Sequence, residues 1–415
     1  MDEQRANPVA TATSNPKAIS KIKDRRKAKI GVGVIGLGVA ALSAHLPAIV
    51  DSDQFELVAL CDRDPARLEY ATRRWAVGRA SIDPDDVLRA PGLDAVIVAT
   101  PPDSHFPLAL ATIAKGKHLL VEKPLAPTLS ESKTMVETAA KHGVHLLVGY
   151  EKRFHPTLRR VRSLLQDKTI GIPYYGGVHW ASNAKMDPEH LVPEGYLSGY
   201  HWRWKNPSVG GGIIQDHLPH YVDLFRYWLD TTPVAIYAQT MNVARDLLGW
   251  KAKESVWEDL GLAVIRFSNG FLLQFETGTV GRSLSPLWAQ GSGIGEWTEY
   301  GYIFGTEGQI LFDLLPWDSS ENGRIALWQL KSAVHNGVGW SYVEQNEPKR
   351  REGSPSGAAH EMFSGQLQEF ARAITGEHSR CATGEDGLIG VAAVEAAYQS
   401  ARTHREFALA HEELI

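Results

Sequence analysis

The chain has 415 residues, 43% hydrophobic and 22% charged, with glycine and proline spread throughout; this excludes a collagen-like or wholly disordered polymer and fits two packed domains better than one. Its 43 Lys and Arg against 48 Asp and Glu give a formal charge of −5, with no basic stripe to track a phosphate backbone, so no nucleic-acid partner is expected. Two cysteines, Cys61 and Cys381, are too few for a disulfide framework or a thiolate metal site, which makes a reducing, cytoplasmic setting the expectation.

Residues 1–28 are polar, carry Pro8 and Pro16, and read as a tail that cannot bury enough surface to order itself. The basic residues from Lys21 to Lys29 and the apolar run Ile30–Val50 mimic the two halves of a secretory signal. His45 and Pro47 interrupt that run, and a strand, turn and helix explain it better. No other stretch holds 18 uninterrupted apolar residues, so no membrane span is expected.

From residue 29 to 150, short apolar runs alternate with helical patterns: Ile30–Ile35, Leu57–Cys61, Ala95–Ala99, His118–Val121 and His145–Val148 as buried strands, Pro107–Lys115 and Leu129–His142 as helices. The alternation predicts a parallel sheet with helices on both faces. From 151 to 402 the character is α+β. Strands are predicted at Tyr174–Asn183, Val234–Asn242, Leu260–Phe267, Phe271–Thr279, Tyr300–Phe304 and Ile310–Leu315, in a large, mostly antiparallel open sheet. Helices about Glu361–Ile374 and Gly387–Arg402 close the chain, and one of them has the option of packing back on the first domain. Gln345–Gly357 reads as an exposed loop and 403–415 as a tail.

Gly36-Leu37-Gly38-Val39-Ala40-Ala41 is a G-x-G-x-x-A run between a strand and a helix. The first glycine permits the tight turn, the second lets the backbone approach a pyrophosphate, and the helix N-terminus offers N–H groups to the anion. Asp62 closes the next strand, where an acid accepts the adenosine ribose hydroxyls and repels a 2′-phosphate; this favours NAD over NADP. Arg63 beside it is either an adenine or phosphate contact or a solvated loop residue. Thr100-Pro101-Pro102 forms a rigid corner at the same sheet edge, with His105 read as a loop residue near the cofactor.

Two further clusters carry chemistry. The strand ending at Val121 runs into Glu122-Lys123-Pro124, which puts Lys123 at the cofactor crevice. Farther along, Asp216 and His220 are four apart, so on a helix they share a face, where a carboxylate can orient an imidazole for acid–base work. Read singly, each has a plain structural alternative. His217 lies between them, but neighbours on a helix point about 100° apart, so 216, 217 and 220 make a poor metal set and no metal is expected; His217 serves either as a substrate hydrogen bond or as a supporting residue.

Taken together, the G-x-G-x-x-A run, Thr100-Pro101-Pro102, Glu122-Lys123-Pro124, Trp202-Arg203 before the triple glycine, Asp216 with His220, and the closing Gly384-Glu385-Asp386-Gly387 make a chain that resembles the Gfo/Idh/MocA oxidoreductases from about Lys29 to Arg402. The resemblance implies an N-terminal Rossmann domain, a C-terminal α+β domain whose open sheet serves in homo-oligomer contacts, and hydride transfer at a secondary alcohol of a sugar-like ring. It implies Lys123, Asp216 and His220 as the catalytic set. Cofactor-binding candidates are Gly36, Gly38, Val39, Ala40, Asp62, Arg63, Thr100, Pro101, His105, Glu122 and Lys123; substrate-binding candidates are Lys123, Arg153, Trp202, Arg203, Asp216, His217 and His220.

The chain departs from the family pattern in carrying Leu218 where many relatives have glycine, His217 before it, and Glu151 where many have asparagine. Aromatic residues crowd 175–204, among them Trp180, Tyr196, Tyr200, His201 and Trp204, and suit sugar faces or an ordinary core equally well. Three functions follow: an NAD-dependent dehydrogenase or reductase of sugars, cyclitols or glycosides; a redox-neutral glycosidase working by transient ring oxidation and elimination; and a non-catalytic NAD-binding regulator.

Overall fold

The computed structural model describes residues 29–182, 206–246, 257–278, 297–314, 323–336, 339–343 and 358–409. The predicted tail 1–28, Trp202 and Arg203, the aromatic residues 196–204 and the loop at 345–357 lie outside the described residues.

The five predicted apolar runs and one short addition form parallel strands: β1 (Ile30–Ile35), β2 (Phe55–Cys61), β3 (Ala80–Ser81), β4 (Ala95–Val98), β5 (His118–Glu122) and β6 (Leu146–Gly149). Burial on both faces explains their unbroken apolar character, as in β4, where all four residues are inaccessible. They stand in the order β3-β2-β1-β4-β5-β6. Strand order reverses between β1 and β4, which opens a crevice beyond their carboxyl ends; this is the doubly wound Rossmann arrangement. Helices between them are punctuated locally: Leu129–His142 begins where the Thr128 side chain accepts from the Glu131 N–H and ends where Gly143 takes φ 65°.

After β6 the chain builds a second sheet from β7 (Pro173–Ser182), β8 (Pro233–Met241), β9 (Leu260–Phe267), β10 (Leu272–Gly278), β11 (Trp297–Gly305), β12 (Gly308–Leu314), β13 (Ile325–Gln329) and β14 (Trp340–Tyr342). Its order is β14-β13-β12-β11-β7-β10-β9-β8, and only the β7–β10 pair is parallel. Along β9 burial alternates, so Ala263, Ile265 and Phe267 pack with Leu273 and Phe275 of β10 beneath Leu218, Val222 and Phe225 of the helix Ile213–Leu229. The opposite face presents Tyr237, Leu262, Val264 and Leu272 to solvent.

The last part of the chain stitches the two sheets together. The helix Ala358–Ile374 packs Phe363, Leu367 and Phe370 against Val32, Leu46 and Phe55 of the first sheet's layer. Next, β15 (Ala382–Thr383) joins the free edge of β6 in antiparallel sense. The final helix, Gly384–Thr403, starts with a capping box between Thr383 and Asp386 and lies against Ile213–Leu229 and β8. Residues 403–415 were expected to form a tail, but β16 (Phe407–Ala408) pairs with Ala235 and Ile236 of β8. The Ser400 hydroxyl holds this return by donating to Arg405 O and accepting from Ala238 N; a strand of two residues is too short to leave a periodic signal.

Candidate active site

The phosphate cradle is made by two glycines with different jobs. Gly36 has φ +94°, and a Cβ there would lie 2.6 Å from Ala99 O, so the turn out of β1 admits no side chain. A Cβ on Gly38 would meet nothing within 4 Å among the described residues, which leaves a bare backbone facing the crevice. The Asp62 carboxylate, at the end of β2, closes the loop: Oδ2 accepts from Leu37 N at 2.6 Å and Oδ1 from Asp64 N at 2.8 Å. Each oxygen keeps a second lone pair for a ribose hydroxyl. Val39 and Ala40 open the following helix, Arg63 beside Asp62 is exposed, and Thr100 packs its methyl against Gly36. These residues fit a dinucleotide: bare glycine backbone, helix N–H groups and an acid converge on one crevice.

After Val39 and Ala40 that helix makes a π turn, Ala41–His45, before the α-helix Leu46–Asp51. The wide turn delivers His45 to the end of β5, where Nε2 lies 2.7 Å from Glu122 Oε1. Glu122 Oε2 accepts from the Lys123 backbone N–H at 3.3 Å, so both oxygens of this predicted cofactor contact hold protein groups. The sequence marked His45 only as a break in an apolar run.

His105 corrects an expectation. It is the first residue of the helix His105–Ala114, fully buried, with Nδ1 2.9 Å from Pro124 O and Nε2 2.8 Å from Thr100 O. The ring bridges the corners after β4 and β5, Pro101 included, and offers neither nitrogen to a cofactor. Two strand-end corners in reach of one helix start are a tertiary fact that local sequence does not encode.

Beyond β5, Lys123 crosses to the helix Ile213–Leu229, with Nζ 2.5 Å from Asp216 Oδ1 and 3.1 Å from Asp216 O. His220 is one turn farther on, buried, with its ring edge against Tyr150. Burial holds its pKa well below the ordinary imidazole value, and the Lys123 and Lys152 charges push the same way. It is therefore neutral at pH 7 and able to take a proton. The helix brings Asp216 and His220 to one face as predicted, but Asp216 is turned to Lys123. The carboxylate within ion-pair reach of the imidazole is Glu151, with Oε2 3.8 Å from Nδ1.

Glu151 opens the turn Glu151–Phe154 after β6. Burial and the Glu122 charge raise its carboxyl pKa to about 7, against the pull of Lys152 and Lys123. Lys152 in turn donates to Glu299 Oε1 of β11 at 2.6 Å, and the Tyr221 hydroxyl donates to the same carboxylate. Lys152, Tyr221 and Glu299 were not among the predicted site residues, because 147 residues separate Lys152 from Glu299.

Of the predicted substrate contacts, Arg153 serves the framework instead, and the contacts of His217 fit the supporting role that the sequence left open. Arg153 is buried, forks onto Asp223 through Nε and Nη2 at 2.7 and 2.5 Å, and also donates to Asp386 and Arg380 O. It clamps the helix Ile213–Leu229 to the start of the final helix, so it is not a substrate arginine; its place beside the glutamate of a site loop made it look like one. His217 stacks on Trp180 of β7 with centroids 3.8 Å apart, and its Nδ1 lies 3.2 Å from Ile213 O and 3.3 Å from Thr277 Oγ1. It braces the helix against β7 and β10. Among the described residues, no group of three or more His, Cys, Asp or Glu is arranged to hold a metal ion.

Comparison with known proteins bears on this geometry. Residues 30–150 match the oxidoreductase family with NAD-binding Rossmann fold, and residues 158–311 match the GFO/IDH/MocA C-terminal domain. The chain is 29% identical over 371 residues to 1,5-anhydro-D-fructose reductase of Ensifer adhaerens, covering 88% of this chain and 95% of that one. It is 27% identical to myo-inositol 2-dehydrogenase of Thermotoga maritima, over 68% of this chain and 75% of that one. An oxidoreductase from Agrobacterium radiobacter, solved with NAD+, L-tartaric acid and magnesium, shares the fold with a TM-score of 0.73 at 22% identity, covering 92% of this chain and 98% of its own.

Proposed function

The chain belongs to the GFO/IDH/MocA family of NAD-binding oxidoreductases, and from that premise we propose that it moves hydride between NAD and a secondary alcohol or ketone of a sugar, cyclitol or glycoside. The observation that carries this reading is the contact of Lys123 Nζ with Asp216 Oδ1 at 2.5 Å, which joins the end of β5 to the helix bearing His220 at the mouth of the dinucleotide crevice. Reduction of 1,5-anhydro-D-fructose and oxidation of myo-inositol, named for two relatives, support the substrate class.

When bound, NAD supplies the hydride acceptor. The loop Gly36–Ala40 and Asp62 would hold its pyrophosphate and ribose. In the oxidative direction neutral His220 takes the hydroxyl proton, Lys123 donates a hydrogen bond to the same oxygen and stabilises its growing negative charge, and Asp216 fixes the Lys123 ammonium. In reduction the same groups act in reverse. Assembly into a homo-oligomer through the outer face of the second sheet belongs to this proposal, supported by the exposed Tyr237, Leu262, Val264 and Leu272.

The test is incubation with NAD and a panel of sugars, inositols and glycosides, following NADH and released aglycone. NADH formation that vanishes in Lys123→Met supports the dehydrogenase. Aglycone release without net NADH assigns redox-neutral cleavage instead, and turnover intact in Lys123→Met overturns the proposed chemistry.

A further inference from the structure

A general base must present a lone pair to the substrate, and an imidazole has two nitrogens that compete for one proton. Which nitrogen carries the hydrogen is set by the partner of the other. In this site His220 Nδ1 is buried with no hydrogen-bond partner among the described residues. Its ring packs against that of Tyr150, with centroids 5.8 Å apart. Asp216, one turn back, is drawn off by Lys123. The group that faces Nδ1 is the Glu151 carboxyl, 3.8 Å away and itself 5% exposed. An inward movement of about 1 Å closes that gap to a hydrogen bond, and contacts of this kind are commonly long before a substrate is bound.

Resting on the hydride-transfer reading above, we propose that Glu151 is a positioning residue that shares one proton with His220 and so sets which nitrogen of the imidazole carries the hydrogen. With the carboxylate ionised, Nδ1–H donates to Glu151 and the Nε2 lone pair is left to accept the alcohol proton. With the carboxyl protonated, its O–H donates to Nδ1 and the ring carries hydrogen on Nε2, the form that gives a proton to a ketone. Over one oxidation the pair therefore goes from anion to neutral, gaining the hydroxyl proton while the hydride leaves to the nicotinamide. The surroundings suit a group that changes state near neutrality. Glu122 at the end of β5 raises the Glu151 carboxyl, Lys123 and Lys152 lower it, and burial dominates, to about 7. On the imidazole side the Lys123, Lys152 and His217 charges act against protonation and Asp216 for it. Lys152 is itself tied to Glu299, so the main cation beside Glu151 is fixed in place.

The chain has 16 histidines, and in protein labelled with nitrogen-15 at histidine the His220 signals are identified by their loss in His220→Asn. Proton–nitrogen correlation then reads the tautomer directly, without substrate or cofactor. The wild type is expected to pass from the Nε2–H to the Nδ1–H form between about pH 6 and 8, and Glu151→Gln to show one tautomer throughout. With any alcohol that the panel identifies, Glu151→Gln is expected to lose the rise of kcat near pH 7 with KM changed less than about threefold. A wild type with no change of tautomer in that range overturns the proposal even if Glu151→Gln fails to fold, and so does the same change persisting in Glu151→Gln. A panel in which no alcohol is oxidised removes the hydride-transfer reading but leaves the tautomer measurement to decide this one.

Discussion

Lys123 and Asp216 are 93 residues apart in the chain and 2.5 Å apart at the crevice. The bond joins the end of the first sheet's β5 to the long helix of the second layer, one turn from His220. Lys123→Met removes the proposed donor to the reacting oxygen and takes from the Asp216 carboxylate, 8% exposed, the Lys123 cation. Loss of one such donor costs ~10²-fold or more in kcat. Steady-state kinetics should show that loss with NAD affinity, followed by protein fluorescence, changed far less. A comparable loss of NAD affinity would mean Lys123 holds the cofactor and not the reacting oxygen.

The two loop glycines should fail in different ways. Gly36→Ala forces a Cβ to within 2.6 Å of Ala99 O at φ +94°, a conformation costing about 1–2 kcal/mol for an L-residue before the clash is counted; it should lower the unfolding midpoint. Gly38→Ala adds a methyl where no described residue comes within 4 Å. Its midpoint should stay at the wild-type value while NAD binding weakens about tenfold or more. Calorimetric unfolding together with an NAD titration separates the two, and equal stability loss in both variants would contradict the cradle.

Stability should fall on acidification, for a reason that lies in buried imidazoles. Burial, helped by Lys152, lowers His155 to about 3, and burial lowers His118 to about 4. Both stay neutral in the fold while the unfolded chain protonates them below about 6.5. The unfolded state then binds more protons, so stability present above pH 6.5 drains away as pH drops toward the folded values, by up to about 1.4 kcal/mol per pH unit for each group. His155 also caps the helix Pro156–Gln166 by accepting from Thr157 N, so His155→Asn, which keeps an acceptor and removes the titration, is the informative variant. Denaturant midpoints from about pH 7 to 5 should fall less steeply in it than in the wild type; parallel slopes would exclude His155 as a contributor.

Most of the fold was legible because buried parallel strands leave solid apolar runs and half-exposed strands leave alternation. β1, β9 and the helix Leu129–His142 begin and end where the pattern predicted. Short edges such as β15 and β16 were not, since two residues have no period. The site divides along the same line. Gly36, Asp62, Lys123 and His220 occupy positions fixed by local grammar: strand end, tight turn, helix face. Arg153, His105 and Glu151 take their roles from what lies across the fold, and the sequence around each is silent about Asp223, Pro124 and His220.

Arg153 offers a direct test of that distinction. Its guanidinium holds Asp223, which is 1% exposed, and shares Asp386 with Arg226. Arg153→Ala strands a buried carboxylate, a change that costs about 3–5 kcal/mol, and Arg153→Lys keeps the charge but not the fork. Both should lower the unfolding midpoint, alanine more. KM of whatever enzyme remains folded should be unchanged, whereas a substrate arginine would show its loss in KM at full stability.

The outer face of the second sheet sets the final prediction. Tyr237 pairs across β8 and β9 with Val264, and Val264 with Gln274 on β10, so the exposed apolar side chains form one continuous band with Leu262 and Leu272 at its flanks. An open apolar face of this kind is covered in a stable protein, and the proposed cover is the same face of a second copy. Val264→Asp places a charge at its centre without touching the inner core, where Ala263 and Ile265 point. Light scattering coupled to gel filtration should report a wild-type mass above the 45.7 kDa of one chain and a mass near that value for the variant, with the unfolding midpoint of the monomer still measurable. A wild type that elutes at the mass of one chain, or a Val264→Asp variant that assembles as the wild type does, would leave this band without the partner proposed for it.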